Sequence, residues 1–438
     1  MAKVLVIGGG AAGLAAAYWA RRDEHEVAVI EASPQWGGRT QTLRVDGHLL
    51  ETGLEGFAPN PTALRELCLE IGVALAPRPE LDRFVIQGGK HWPLPGGLDL
   101  STGAGLHLLG KLPLSAGSRW KLGTERFGGA SSAAEESLES FLSRRLGEEV
   151  WRVLEPAATA EWGGYSADLV AALAYPGLAA LERGGLIQAS RKVQPAPALV
   201  PAGGMGNLIH TLGQSLLEGG VKMYTRQEAV ALAKQGGIWQ VQTTTQVHSA
   251  DAVVMALPAP QAARLFRRTA PSFTTLINHF PHTHNAKVWQ GYRVSDAPKA
   301  AGEWMIAQGQ GFGGYRVAVR GPQNGFQTAS VEFMGSSARA ADATLSRLAA
   351  ADLAKLWGEP AKPAASWVFR APSSRPQYGA KHAQRVHDLE QILTHAPGLF
   401  LTGSYLAGPN LAQIVAHARA TMGRALDYLL MEGPKALA

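Results

Sequence analysis

Residues 3–31, KVLVIGGGAAGLAAAYWARRDEHEVAVIE, decide how the rest of the chain is read. Val4, Leu5, Val6 and Ile7 make a short apolar run stopped by glycine, the pattern of a parallel strand buried on both faces. Gly8, Gly10 and Gly13 follow at the spacing of a phosphate-binding turn. The first permits the tight exit from the strand, the second lets the backbone approach a pyrophosphate, and the third allows the next helix to pack closely on the sheet. Small and apolar residues from Ala11 to Arg21 predict that helix, with its N-terminal amides and positive dipole end aimed at the phosphates. Val27, Val29 and Ile30 predict a second strand ending at Glu31, 18 positions past Gly13. A carboxylate there is placed to accept hydrogen bonds from a ribose 2′-OH, and it would repel the 2′-phosphate of NADP. In a chain with 51 glycines the spacing alone is weak. It gains its specificity from the strand before it, the helix after it and the answering carboxylate.

The 438 residues exceed one ordinary core, so two or three domains are expected. Hydrophobic content of 46% against 17% charge describes a globular protein with ample apolar surface to bury. The net charge of +6 comes from basic residues scattered singly and in pairs, with no Lys/Arg block. Nucleic-acid binding is therefore unsupported, and an anionic small-molecule substrate or an acidic membrane surface suits the balance better. Cys68 is the one cysteine, which excludes an intrachain disulfide and Cys-based metal sites; its setting in TALRELCLEIG reads as a buried thiol on a helix. The apolar run after Lys3 resembles a signal-peptide core, but three consecutive glycines favour the strand-turn-helix reading. No run is long enough to span a bilayer. A cytoplasmic location is expected, with peripheral attachment to the inner face of the membrane as the alternative. No sequence signal points to an oligomeric state.

Gly37, Gly38 and Arg39 give a second tight turn with a permanent cation, eight residues beyond Glu31 at its far end and suited to another face of the diphosphate. FVIQGGKHWP, residues 84–93, predicts a hairpin turning at Gly88 and Gly89. Residues 97–200 lose strand alternation and read as a helical insertion. Within it, residues 103–127 mix leucines and Trp120 with Lys111, Arg119 and Lys121. Two readings stand: a segment lying on a membrane surface, or leucines facing the insertion's own core. Helix 206–217, a pair of strands turning at Gly236 and Gly237, a mixed set of strands over 263–384, and a final strand and helix from 399 to 430 complete the chain. His279, His282 and His284 lack a nearby carboxylate or cysteine and are read as turn or strand histidines, so no metal site is expected.

The blocks GGGAAGLAAAY, VIEASPQWGGRTQT and LLETGLEGF resemble the FAD-dependent amine oxidase superfamily and, within it, the protoporphyrinogen oxidase branch. PAGGMGNLIHTLGQSL, DAVVMALPAP, RPQYGAKHAQRV and PGLFLTGSYLAGPNLAQIVAHARATMG are similar to that branch in the same order, so the resemblance spans nearly the full length. It implies an α/β fold with a discontinuous Rossmann-type FAD-binding domain from 1–80, 201–262 and 385–438. The substrate-binding mixed sheet would come from 81–96 and 263–384, with the helical insertion at 97–200. The resemblance further implies that FAD is held by Gly8, Gly10, Ala12 and Gly13, by Glu31 and Ala32, and by Gly38 and Arg39. Gly53, Leu54 and Gly56 would come next, then the main chain near Ala229 or Val230, then Ser404, Gly408, Pro409, Asn410 and Leu411. Covalent flavin through a C-terminal cysteine is excluded by the position of Cys68.

No GxSxG elbow, HExxH helix or Walker A lysine is present. Flavin chemistry makes few demands on side chains, because the ring accepts the hydride and the protein supplies orientation and electrostatics. The resemblance implies a porphyrinogen, either protoporphyrinogen or coproporphyrinogen, with Arg83 placed to pair with a propionate and oxygen or another acceptor reoxidising the flavin. Two segments depart from the branch: its GxYAGDP-like stretch is here EWGGYSADLVA, and its VGxxDC-like turn is GPNLAQI. Lys287 occupies the place where amine oxidases of the superfamily keep a lysine that holds water near the flavin; an exposed strand lysine is the plain alternative. Amine oxidation, polyene desaturation and a non-catalytic flavin-binding, membrane-peripheral role are the competing readings.

Overall fold

Strand Lys3–Ile7 lies at the centre of a five-stranded sheet in the order Leu399–Leu401, Ala252–Met255, Lys3–Ile7, Glu26–Ile30, Lys222–Tyr224. All four pairings are parallel. The computed structural model describes residues 2–22, 25–58, 62–129, 135–267, 269–296 and 301–432. Both faces of the central strand are covered, which explains its unbroken apolar sequence. Val4 and Val6 pack beneath helices Ala11–Arg22 and Leu411–Glu432, while Leu5 and Ile7 pack with Leu265 and Phe266 of helix Ala259–Phe266 on the other face. Each such side chain contributes about 1.5–3 kcal/mol by leaving water, before chain entropy is set against it.

A second, seven-stranded sheet is mixed, in the order Ala365–Pro376, His282–Arg293, Phe326–Met334, Arg316–Val319, Gly302–Ile306, Arg83–Gln87, Lys90–Pro93. Its one parallel pairing joins Arg83–Gln87 to Gly302–Ile306 and sets Arg83 opposite Glu303. The hairpin between its last two strands turns at Gly88 and Gly89, with φ of 59° and 69°, the left-handed geometry that a two-residue turn of this kind requires. A three-stranded antiparallel sheet, Ala229–Gln235, Ile238–Thr243 and Val247–Ala250, flanks the parallel one.

Between the two large sheets in sequence lies a helical region that includes Ala116–Thr124, Leu138–Leu146, Glu148–Trp162 and Leu186–Ser190. Leu106, Leu109, Leu112, Leu114 and Leu122 are buried in its core with Leu142 and Leu154. The membrane-surface reading of residues 103–127 is therefore corrected for the leucines, which face the region's own interior. Trp120 and Phe127 do the opposite, standing 71% and 74% exposed. Exposed Arg119 and Arg126 accompany them, the Arg126 guanidinium lying 4.6 Å from the centre of the Phe127 ring. Among the described residues, no helix is long and apolar enough to cross a membrane.

Candidate functional site

The parallel sheet puts the helices that follow strands Lys3–Ile7 and Leu399–Leu401 at the same C-terminal edge, the place where open α/β sheets bind ligands. At that edge the three glycines act differently. Gly8 has φ +106°, and a Cβ on it would meet the Ala256 carbonyl oxygen at 2.8 Å. A Cβ on Gly13 would lie 1.8 Å from the Gly8 carbonyl oxygen, so helix and strand touch backbone to backbone. A Cβ on Gly10 would meet nothing within 4 Å. Two glycines are thus required by the fold, and the third leaves open space over a helix N-terminus, which fits a diphosphate.

The second turn closes on the first. Gly37 donates its N–H to the Gly9 carbonyl at 2.7 Å and bridges Gly10, while Gly38, at φ +55°, would bring a Cβ within 3.4 Å of the Gly10 Cα. Glu31 ends its strand beside both: Oε2 accepts from Gly9 N–H at 2.7 Å, and Oε1 accepts from Ser33 N–H at 2.8 Å and Ser33 Oγ at 2.6 Å. Buried Ala12 lies in the helix and exposed Ala32 follows Glu31. Val230 is the extra residue of a bulge, because the register shifts between Ala229 and Ala231, and it is 44% exposed. It therefore presents its backbone away from the regular ladder.

Arg39 is accessible to solvent, yet enough protein surrounds it that burial, followed by repulsion from Arg375, lowers its pKa to about 10. Its Nη2 reaches Ser404 Oγ at 3.4 Å, and the Ser404 carbonyl accepts from Tyr378 Oη at 2.8 Å. Gly53 packs on the Arg39 main chain, where a Cβ would stand 2.4 Å from the carbonyl oxygen; Leu54 and Gly56 are half-buried beside it. Gly408, at φ +109°, and Pro409 lead into helix Leu411–Glu432, whose start is capped by Asn410 Oδ1 accepting from Ala412 N–H at 2.9 Å. These segments could together hold a dinucleotide from the ribose carboxylate to a ring beside the last helix.

Lys287 is not the exposed strand lysine its sequence allowed: it is 5% exposed. Its Nζ is bonded to Glu55 Oε1, lies 3.5 Å from Glu332 Oε1, and sits 5.0 Å from the Trp289 ring centre. Glu55 also receives Arg78 at 3.1 Å and Arg320 at 2.9 Å. Burial alone would raise the Glu55 pKa, but Lys287, Arg320, Arg316 and Arg78 outweigh it and hold it well below the ordinary carboxylate range. Since Glu55 lies between Leu54 and Gly56, Lys287 reaches the Gly53–Gly56 segment through an ion pair.

Arg83 is half-buried, donating Nη1 to the Leu98 carbonyl at 2.9 Å. Its charge acts on Glu303 and on Glu161, two carboxylates that the sequence reading did not single out. Glu161 accepts from Tyr175 Oη at 2.9 Å. Burial, then Asp99, raise its pKa to about 7 against the opposing effects of Tyr175, Arg83 and Arg375. The signal available for it was a single carboxylate inside the apolar run PAATAEW. Arg83 and Lys287 thus share no bonded partner: Lys287 pairs with Glu55, while Arg83 bonds the Leu98 carbonyl and acts on carboxylates of two clusters. His282 Nδ1 is engaged by the Phe280 carbonyl at 2.7 Å, and His284 by Arg339 at 2.6 Å and by Ser373 N–H at 3.2 Å. A separate cleft of about 420 Å³, lined by residues that include Glu139, Glu155 and Asp168, shares no residue with the glycine turns.

The sheet edge, the open Gly10 cradle and Glu31 at the end of the second strand have the arrangement of a dinucleotide-binding fold. The sequence pattern of the flavin containing amine oxidoreductases matches residues 11–415, and the chain belongs to that family. Coproporphyrinogen III oxidase of Bacillus subtilis is 24% identical, covering 97% of this chain and 98% of its own. Protoporphyrinogen oxidase of Homo sapiens is 28% identical, over 67% of this chain and 68% of its own. A crystal structure from Exiguobacterium, of a protein assigned as a protoporphyrinogen oxidase, superposes with a TM-score of 0.84 at 21% identity, covering 97% of this chain and 99% of that one. The protein is an FAD-dependent oxidoreductase of α/β fold.

Proposed function

We propose that the protein oxidises a porphyrinogen, holding the flavin through the two glycine turns, Glu31, Arg39, the Gly53–Gly56 segment, the Val230 bulge and the Ser404–Leu411 turn. In this reading the five-stranded parallel sheet carries the FAD-binding domain, and the seven-stranded sheet with the helical insertion forms the substrate side. When bound, the flavin supplies the acceptor for a hydride. The protein's own part is to hold the substrate's carboxylates and keep the reacting carbon at the ring.

The observation that carries this reading is a series of arginines leading away from the glycine turns: Arg39 reaches Ser404, Arg375 is near enough to act on Arg39, and Arg83 and Arg375 both act on Glu161. Such cations would suit a substrate with several carboxylates and would repel an amine. Lys287 bonded to Glu55 also weighs against the amine oxidase reading, because its ammonium is already engaged. Mixing the yellow protein anaerobically with porphyrinogens, amines and polyenes in turn tests the reading: bleaching of the flavin by a porphyrinogen is expected, and bleaching only by an amine or polyene overturns it.

Trp120 and Phe127, with Lys111, Arg119 and Arg126, support a peripheral contact with an anionic bilayer. Cosedimentation with anionic vesicles at low salt, reversed as salt is raised, is the expected result.

A further inference from the structure

Helix Glu148–Trp162 is buried through its last turns: Pro156, Ala157, Ala158, Thr159, Ala160 and Trp162 are all in the interior. Glu161 is the accessible residue in this run, yet burial is the leading influence on its carboxylate. Its carboxylate is thus reached by solvent while protein crowds around it.

Groups from four other elements face it. Tyr175, in the turn between Ala171–Ala174 and Pro176–Ala180, donates the 2.9 Å hydrogen bond. Asp99, in the loop after the hairpin, opposes its ionisation, while Arg83 at the start of Arg83–Gln87 and Arg375 at the end of Ala365–Pro376 favour it. Arg375 acts on Arg39 as well, and Arg39 reaches Ser404, so the surroundings of Glu161 lead toward the segments proposed to hold the flavin. The balance leaves Glu161 titrating at about 7, where a group exchanges protons most readily at neutral pH.

On the reading that the substrate is a porphyrinogen, we propose that Glu161 takes the proton released when the macrocycle is dehydrogenated. A two-electron step breaks one C–H bond at a bridging carbon and one N–H bond of a neighbouring pyrrole; over three such steps one further proton shifts from a bridging carbon to a pyrrole nitrogen, so that four C–H and two N–H bonds are lost in all. The hydride leaves with its electron pair for the flavin, which is reduced. Loss of hydride alone would leave a cation shared between the bridging carbon and the pyrrole nitrogen; the N–H electron pair stays on that nitrogen and neutralises it as the proton passes to the Glu161 carboxylate. The carboxylic acid formed then returns its proton to solvent. Arg83 and Arg375 keep the surroundings of Glu161 attractive to the substrate's carboxylates while Tyr175 steers the glutamate oxygen.

The test uses the flavin-loaded enzyme with coproporphyrinogen or protoporphyrinogen. Failure of the wild type to turn over either one refutes the porphyrinogen reading itself, whereas the role of Glu161 is judged on a wild type that turns over. In that wild type, kcat/KM should rise with pH through about 7 and level off. Glu161→Gln should keep its flavin and lose roughly 100-fold in the rate of flavin reduction, together with that limb. Tyr175→Phe should move the limb to higher pH, because the lost hydrogen bond favours the carboxylate, and Asp99→Asn should move it lower. An infrared pH titration of the holoenzyme gives a readout independent of turnover: a protonated carboxyl band disappearing near neutrality, absent from Glu161→Gln. A variant within about threefold of wild type with the limb intact overturns the proposal. So does a wild type with no carboxyl titrating in that range.

Discussion

Two clusters of charge border the seven-stranded sheet, and they are wired differently. Around Lys287, carboxylates and cations meet in contact: Glu55 receives Lys287, Arg78 and Arg320, and Arg316 reaches both Glu332, at 2.8 Å, and Glu303, at 2.6 Å. Despite burial, Glu55, Glu303 and Glu332 are all held below their ordinary pKa values. Around Glu161 a tyrosine hydrogen bond stands where Glu55 has three cations, and burial wins, raising the group to about 7. The closed cluster holds the Gly53–Gly56 segment to the large sheet and keeps its charges fixed at every working pH. The open one retains a charge that can change. Arg83 and Arg375 influence members of both, so the two clusters share a border although their chemistry differs.

The largest effect sets the baseline against which either cluster is judged. Gly13→Val places side-chain atoms where a Cβ already stands 1.8 Å from the Gly8 carbonyl oxygen. Overpacking commonly costs about 1–3 kcal/mol, and a clash with backbone belongs at or above the top of that range. The variant should purify without flavin, as the visible spectrum per chain will show, while neither charge cluster is touched. Full occupancy would mean that helix and strand do not meet backbone to backbone.

Breaking the closed cluster comes next. Lys287→Met strands Glu55 with two arginines and should destabilise the protein by about 3 kcal/mol, the lower end for losing one partner of a buried pair. Urea unfolding measures it, and pairing the change with Glu55→Gln should cost less than the sum of the two. Glu55 also dictates a pH response. Its folded pKa is depressed, so its stabilisation is present above the ordinary 4.5 and is lost as pH falls through the lower folded value. If Lys287→Met unfolds like wild type but slows flavin reduction, the cluster is not closed and the contrast between the two fails.

The two clusters were unequally legible in the sequence, for a physical reason. The glycine turns are local: strand, turn and helix lie within residues 3–22, so spacing alone specifies which glycine is needed where. The place of Glu31 at the end of its strand and the hairpin glycines 88 and 89 were readable on the same ground. Glu55, Lys287 and Arg320 meet only because strands His282–Arg293 and Arg316–Val319 both pair with Phe326–Met334 and so bring Lys287 and Arg320 to the same carboxylate, and no short-range pattern records that. Lys287 looked like a surface lysine because strand lysines mostly are. Glu161 was hidden further still, since Tyr175, Asp99, Arg83 and Arg375 arrive from four separate segments.

Arg83 tests the border between the clusters. As a partner for a substrate carboxylate it makes a contact of equal strength before and during reaction, so Arg83→Ala should raise KM roughly tenfold and leave kcat nearly unchanged. The effect should be greater for coproporphyrinogen, which carries more carboxylates than protoporphyrinogen. Because Nη1 also holds the Leu98 carbonyl, Arg83→Lys serves as the comparison that keeps a charge while losing the planar fork. A fall in kcat at constant KM would instead assign Arg83 to the proton chemistry around Glu161.

The smallest effect is one of slope, and it carries the opposite sign to that of Glu55. Glu161 has a folded pKa of about 7 against an ordinary 4.5, so between those values the folded protein binds more protons than the unfolded chain. Its contribution is therefore favourable at low pH, fades as pH rises through that window, and is fully lost above about 7. Glu161→Gln cannot ionise and escapes this loss. Its stability relative to wild type should increase steadily from pH 4.5 to 7 and then stay level, which urea unfolding at several pH values will resolve. Most substitutions destabilise, so a glutamate whose removal helps at neutral pH is held in place by something other than folding. A flat difference across the window would show that Glu161 is compensated as fully as Glu55, and that the molecule contains two closed clusters and no open one.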